Sequence, residues 1–312
     1  MNEIKILVTG SNGLVGKSLQ KIVKEQLKKN EKNRFYFLTR KECNLIDLYS
    51  VYDIFKKIKP DIVIHLASVV GGVYENMNNN YNMFMNNTRM HLNIIDACEK
   101  FNIKKLINIL STCVFPDQGV TYPLTPEQIH NGPPHFSNNG YAYSKRTLHI
   151  GSQLLKNSGC VVINLIPTNL YGENDNYTIE KAHVIPALIH KTYNAIINET
   201  DLKINGSGNA LRQFLYADDL TNIIYSYINS SEQSGDYIVS PPPSHEISIK
   251  QLVNKIVNIF DYKGKIIYDT DEIDGQMKKT AYSNIDYEFT NLDIGLTRTI
   301  HYFTVNYNNL RI

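Results

Sequence analysis

Tyr141 and Lys145 stand four residues apart in Tyr141-Ala142-Tyr143-Ser144-Lys145. On a helix that spacing puts both side chains on one face. An ammonium beside a phenol stabilises phenolate and lowers the phenol pKa, which fits Tyr141 to hand a proton to a carbonyl under reduction. The same spacing also arises by coincidence on exposed helix faces. Ser111, in Leu110-Ser111-Thr112-Cys113, follows an apolar run. Its hydroxyl can hold a carbonyl oxygen or simply form a turn. Far upstream, Gly10, Gly13 and Gly16 make a GxxGxxG loop in Gly10-Ser11-Asn12-Gly13-Leu14-Val15-Gly16. Glycines there let the backbone turn and approach a pyrophosphate, while a following helix offers its free N–H groups. A ligand-free glycine turn is the plain alternative. Thr39-Arg40-Lys41 closes a second apolar run. An NAD site usually has an acid at that point for the ribose 2′-hydroxyl. A basic pair suits a 2′-phosphate instead, so NADP(H) is favoured, with two solvated surface charges as the alternative. Glycine loop, serine and Tyr–Lys pair, in this order, together point to NADP-dependent carbonyl reduction.

These residues need elements to hold them. Lys5–Thr9, Arg34–Thr39, Asp61–Leu66, Lys105–Leu110 and Val161–Ile166 are short apolar runs that read as strands. Between them lie helical patterns: one with Leu19, Ile22 and Val23 apolar, others near Val51–Ile58, from about Tyr81 to Lys100 and from about Tyr141 to Lys156. Strands alternating with helices of this length predict an α/β fold, a doubly wound parallel Rossmann sheet covered on both faces. Past Pro167 the pattern changes. Helices near Pro186–Asn198, Ser248–Phe260 and from about Thr297, with strands at Leu202–Ile204 and Lys265–Tyr268, predict a smaller C-terminal α/β lobe. The expected division is 1–166, with contributions from about 210–240, for NADP binding, and an interleaved 167–312 lobe for substrate.

Composition narrows the function. A net charge of +2 over 312 residues lacks the basic excess that nucleic acid requires, so none is expected as partner. No apolar run reaches the length of a membrane span, and the N-terminal run is too short for a signal peptide, which predicts a cytoplasmic protein without a membrane partner. Cys43, Cys98, Cys113 and Cys160 are widely spaced without a CxxC pair, so neither a metal site nor a disulfide framework is expected.

With these residues in place, the chain resembles the extended short-chain dehydrogenase/reductases and, within them, the GDP-L-fucose synthases (GDP-4-keto-6-deoxy-D-mannose 3,5-epimerase/4-reductases). The stretches that carry the resemblance are Leu110–Asp117, Ile129-His130-Asn131-Gly132-Pro133-Pro134-His135, Pro167-Thr168-Asn169-Leu170-Tyr171-Gly172 and His183-Val184-Ile185-Pro186. The resemblance implies a Ser111–Tyr141–Lys145 reductase triad, with Cys113 and His183 performing the epimerisations. It implies cofactor contacts from Gly10, Asn12, Gly13, Leu14, Val15, Gly16, Arg40, Leu66, Ala67, Tyr141, Lys145, Pro167, Asn169, Leu170 and His183. Asn169, Arg212 and Lys279 are implied at the nucleotide sugar, Arg212 through a guanidinium fork on the diphosphate. Asn205, in Lys203-Ile204-Asn205-Gly206, stands where the family has a tryptophan, and this chain has none. That difference motivates the alternative of a UDP-linked 4-keto-6-deoxy-hexose, or its 2-acetamido analogue, as substrate. A homodimer built on the helices near 81–100 and 141–156 is also implied.

Overall fold

The computed structural model describes residues 3–27, 33–231, 233–272, 275–310 and 312. The first half runs β1 (Ile4–Thr9), α1 (Leu14–Leu27), β2 (Asn33–Phe37), α2 (Leu48–Ile58), β3 (Ile62–His65), α3 (Val73–Lys100), β4 (Lys105–Ile109), α4 (Asn139–Leu155) and β5 (Val161–Pro167). The second half adds β6 (Asn169–Tyr171), α5 (Val184–Ile197), β7 (Leu202–Asn205), β8 (Leu211–Arg212), β9 (Phe214–Tyr216), α6 (Ala217–Ile228) and β10 (Gly235–Val239). It closes with β11 (Ile247–Ser248), α7 (Ile249–Ile259), β12 (Ile266–Asp269) and α8 (Leu292–Asn306). Six strands form one sheet in the order β10-β5-β4-β3-β1-β2, every pair parallel. The doubly wound parallel sheet expected from the sequence is therefore present.

The period-2 alternation of a strand explains the layers. Ile6 and Val8 of β1 face one side and pack with Leu19 and Val23 of α1 and Leu220 and Ile224 of α6. Leu7, between them, faces the other side and packs with Val51 and Phe55 of α2 and Ile94 of α3. A separate apolar cluster joins α5, β7, α7 and α8 through Leu188, Leu202, Ile256 and Phe303. Asp47 caps α2 by accepting from Tyr49 N, and Ser248 caps α7 in a reciprocal pair with Gln251. Among the described residues no helix is long and apolar enough to cross a membrane.

Two helices start earlier than the sequence suggests, and the main sheet gains a sixth strand that the sequence did not suggest, beside the short strands β6, β8, β9 and β11. α3 begins at Val73 rather than near Tyr81, and bends at Asn79. Its first turns are asparagine-rich and lack apolar periodicity, but Asn76 Nδ2 donates to Gly71 O and Gly72 O and anchors them. α8 begins at Leu292 rather than Thr297 because Asn291 accepts from Asp293 N. β10 pairs with β5 from Gly235↔Ile163 to Val239↔Pro167.

Candidate active site

The order of the sheet reverses between β1 and β3: β2 lies to one side of β1 and β3 to the other. In open α/β sheets ligands enter the crevice beyond the strand C-termini at such a reversal. The glycine loop occupies it. Gly10 follows β1 with φ +73°, and a Cβ there would lie 2.7 Å from Ala67 N and 2.8 Å from Leu66 C. Ala67 N in turn donates to Thr9 Oγ1 at 3.2 Å, so Leu66 and Ala67 are tied to the end of β1. A Cβ on Gly16 would sit 2.5 Å from Gly10 O. Gly10 and Gly16 are thus demanded by the chain's own packing. Gly13 is different: its Cβ would meet Gly10 O alone, at 3.4 Å. Asn12 is exposed beside it, and Leu14 and Val15 begin α1, whose first N–H groups point out over the loop. Ser11 N donates to Leu38 O at 3.3 Å, which brings the end of β2 beside the loop. Arg40 is exposed just beyond it, in a turn that Glu42 fixes by accepting from Thr39 N at 2.7 Å. A cradle open only above Gly13, a helix N-terminus and a nearby guanidinium fit a dinucleotide phosphate.

Beyond β4, Ser111 begins a short 3₁₀ turn and accepts from Cys113 N at 3.2 Å. It is therefore a turn former, and its hydroxyl also faces the Tyr141 phenol, as does that of Ser68. Lys145 is buried on α4 and donates to Ile109 O, the last carbonyl of β4, at 2.8 Å. Burial holds the Lys145 amine down at about 7. The sequence suggested a lowered phenol pKa for Tyr141, and the structure gives the opposite. Burial, and then the charge of Cys113, push the phenol up, outweighing Ser111 and Ser68. Lys145 Nζ stands 5.8 Å from the ring centre, too far to offset that burial. Tyr141 is thereby kept protonated, the state a donor needs.

Cys113 receives two polar contacts at sulfur. Asn138 Nδ2 donates at 3.0 Å and Lys279 Nζ at 3.4 Å. Burial pushes the thiol up, but Lys279, Ser111 and Arg212 together bring it below the ordinary thiol value. His183 is the residue just before α5, and burial of its ring, then Lys279, hold its pKa down. The segment before it touches α3: Gly72 N donates to Lys181 O at 3.1 Å. Ser111, Cys113, Tyr141, Lys145 and, through Lys279, His183 are therefore connected in one region.

The remaining candidates spread outward. Pro167 ends β5, and Asn169 on β6 donates from Nδ2 to Gln213 O at 2.9 Å. Leu170 packs on the apolar layer that includes α1. Arg212 donates to Leu211 O at 2.7 Å and Gln276 O at 2.5 Å, so its fork is held before any ligand arrives. Lys279, expected near the nucleotide, has its Nζ against Cys113 Sγ. Asn205 ends β7. It accepts from Lys191 Nζ at 2.6 Å and donates to Tyr74 OH at 3.1 Å, and Tyr74 OH donates to Glu272 at 2.6 Å. An exposed tyrosine from α3 thus supplies an aromatic ring beside the position that lacks tryptophan.

Sequence reasoning missed Ser68, Tyr74, Asn138, Lys191 and Glu272, which sit in no motif and come together only in the fold. It also missed a buried file beneath Lys145. Thr9 Oγ1 meets His65 Nδ1 at 2.8 Å, and His65 Nε2 meets His91 Nδ1 at 2.8 Å. Burial and the nearby Lys145 keep both rings neutral, His65 down at about 3.

Residues 6–240 match the NAD dependent epimerase/dehydratase family. A GDP-L-fucose synthase of Dictyostelium discoideum is 42% identical, over 98% of this chain and 97% of its own length. A probable GDP-L-fucose synthase of Drosophila melanogaster is 36% identical, over 98% and 99% respectively. The crystal structure of a GDP-L-fucose synthetase from Naegleria fowleri bound to NADP superposes with a TM-score of 0.91 at 38% identity, covering 100% of this chain and 96% of that one.

Proposed function

This chain belongs to the NAD dependent epimerase/dehydratase family and, within it, to the GDP-L-fucose synthases, and from that premise we propose that it converts GDP-4-keto-6-deoxy-D-mannose to GDP-L-fucose with NADPH. The 4-keto group acidifies the C3 and C5 hydrogens, because the electron pair left behind spreads onto the keto oxygen. Cys113, its thiol brought down by Lys279, Ser111 and Arg212, supplies the base at those carbons, and His183 the acid. Ser111 and Tyr141 hydrogen-bond the enolate oxygen as its charge grows. Tyr141 then protonates that oxygen to leave the 4-hydroxyl. NADPH, when bound, supplies the hydride for C4. Gly10, Gly13, Gly16 and the start of α1 hold its pyrophosphate, Arg40 its 2′-phosphate and Lys145 its nicotinamide ribose. Arg212 meets the sugar-nucleotide diphosphate.

One observation carries this reading: Ser111 takes the Cys113 amide on its hydroxyl and turns the same hydroxyl toward Tyr141, so the epimerase and reductase groups share one anchor. The UDP-linked alternative is set aside, since the relatives at 42% and 36% identity carry GDP in their names. The test is NADPH oxidation in heavy water with GDP-4-keto-6-deoxymannose and, in parallel, with UDP-4-keto-6-deoxy sugars, the products read by NMR. GDP-L-fucose deuterated at C3 and C5 is expected. Turnover of the UDP sugars alone would overturn the assignment. We further infer a homodimer through α3 and α4, whose exposed Tyr81, Leu92, Tyr143, Ile150 and Leu154 form an apolar face. Light scattering at twice the chain mass is expected, and a monomer mass would refute it. Cysteines that are free, three of them buried, support a cytoplasmic compartment.

A further inference from the structure

We propose that Lys279 is a positioning residue for epimerisation: its ammonium, set against the Cys113 sulfur, keeps that sulfur as a thiolate and so makes it the group that removes the substrate hydrogen. The proposal rests on the function given above. Its first support is burial. Lys279 is only 8% exposed, and among the described residues no carboxylate forms an ion pair with it. A buried ammonium without an anion is costly. Cys113 Sγ, 3.4 Å away, is the atom that can become that anion. Each charge makes the other tolerable.

The second support is that the contact is built from 166 residues away in sequence. The backbone on both sides of Lys279 is pinned: Tyr122 OH donates to Lys278 O at 2.9 Å, Leu124 N to Thr280 O at 2.8 Å, and Ala281 N to Gln213 Oε1 at 2.7 Å. On the other side Asn138 Nδ2 donates to the same sulfur, and Ser111 fixes the Cys113 amide. The sulfur is therefore aimed as well as charged. The other groups that face it are Arg212 from β8, a second cation, and the neutral phenol of Tyr141 from α4. At His183 burial first, and then Lys279, disfavour imidazolium and make its protonated form a stronger acid. The proton inventory closes. The C–H bond breaks, S–H forms, and the electron pair moves onto the 4-oxygen. A C–H bond then forms on the opposite face as an N–H bond of the protonated His183 imidazolium breaks and the pair returns, leaving neutral imidazole. Thiolate and imidazolium are restored by proton exchange with water.

The experiment reads Cys113 directly and needs no sugar. The holoenzyme is treated with iodoacetamide across pH 5–10, and carboxamidomethylation of the Cys113 peptide is followed by mass spectrometry, apart from the buried Cys43, Cys98 and Cys160. The wild-type rate is expected to reach half its maximum well below the roughly 8.5 of a free thiol. A wild-type midpoint at or above that value overturns the proposal without any variant. Lys279→Met is expected to move the midpoint up by at least about one pH unit, cutting the rate at pH 7 roughly tenfold, with Lys279→Arg restoring it. Deuterium exchange at C3 and C5 is expected to fall in proportion in kcat. An unmoved midpoint in Lys279→Met with a raised KM would show the lysine to be a nucleotide contact only, and would refute the proposal. If the sugar assignment is wrong, exchange is absent in every variant while the alkylation midpoints still separate.

Discussion

Replacing Gly13 or Gly16 by alanine separates a glycine needed by a ligand from one needed by the chain. At Gly16 the new methyl would lie 2.5 Å from Gly10 O and 2.7 Å from Ser11 Cα, both backbone atoms. Neither can rotate away, so the loop or the start of α1 must shift. Overpacking of this kind costs about 1–3 kcal/mol. If the whole strain is released by moving the phosphate cradle, NADPH binding weakens by roughly 5- to 150-fold, at 1.4 kcal/mol per decade. The melting temperature should fall as well. At Gly13 the methyl would make only one ordinary contact, 3.4 Å from Gly10 O, and the residue has no left-handed φ to forbid it. Alanine at such a site stabilises the empty protein by roughly 0.4–1 kcal/mol, because it restricts the unfolded chain. Its methyl nevertheless occupies the space through which a phosphate would approach the N–H groups of α1. Gly13→Ala should therefore melt at or above the wild-type temperature while losing NADPH affinity tenfold or more, roughly the worth of a charge-assisted hydrogen bond. Calorimetric titration with NADPH, paired with thermal melts of the apoprotein, measures both. Wild-type affinity in Gly13→Ala would refute the cradle. A Gly16→Ala protein unchanged in melt and affinity would refute the packing argument.

Other perturbations test the remaining parts. Tyr141→Phe removes the proton donor and should lower reduction by roughly 10²- to 10⁴-fold while NADPH still binds; NADPH oxidation within tenfold of wild type would contradict that role. Arg40→Ala should weaken NADPH roughly tenfold or more and leave NADH unchanged, and parallel losses for both cofactors would count against a 2′-phosphate contact. Asp236 is held down at about 2: burial would raise it, but hydrogen bonds from His149 at 3.0 Å and Asn164 at 2.8 Å prevail. A folded-state pKa below the unfolded one stabilises the protein above the unfolded value and loses that contribution as pH falls through the folded value. The stability gap between wild type and Asp236→Asn should be level above about pH 5 and close between about pH 4 and pH 2. A gap that persists to pH 2 in urea titrations would refute this.

The parallel sheet was legible because its strands are buried on both faces, as at Ile62–His65 and Lys105–Ile109, and so read as mostly apolar runs without strict alternation. The glycine loop and the Tyr141–Lys145 pair were legible because their chemistry needs a fixed local spacing. The start of α3 was not, since its asparagines are held by tertiary hydrogen bonds: Asn80 Oδ1 accepts from Gly140 N on α4 at 2.7 Å. Nor was the fall of the Cys113 thiol, which depends on Lys279 across a long stretch of chain. The Tyr141 phenol went the other way from expectation because burial depends on what the fold puts around it.

The edge strand β10 carries a further consequence. Its sheet partner β5 ends at Pro167, while β10 ends at Val239, and α6, which covers the same face as α1, lies between. During translation the first five strands leave the ribosome with the β5 edge unpaired and the part of one face that α6 later covers still open. At roughly 5–20 residues per second the missing pieces follow about 4–14 s later. In that interval the β5 edge is open to strands of other chains. A nascent chain halted near residue 200 should therefore depend on chaperones and be cut by protease, whereas one halted well past Val239 should resist.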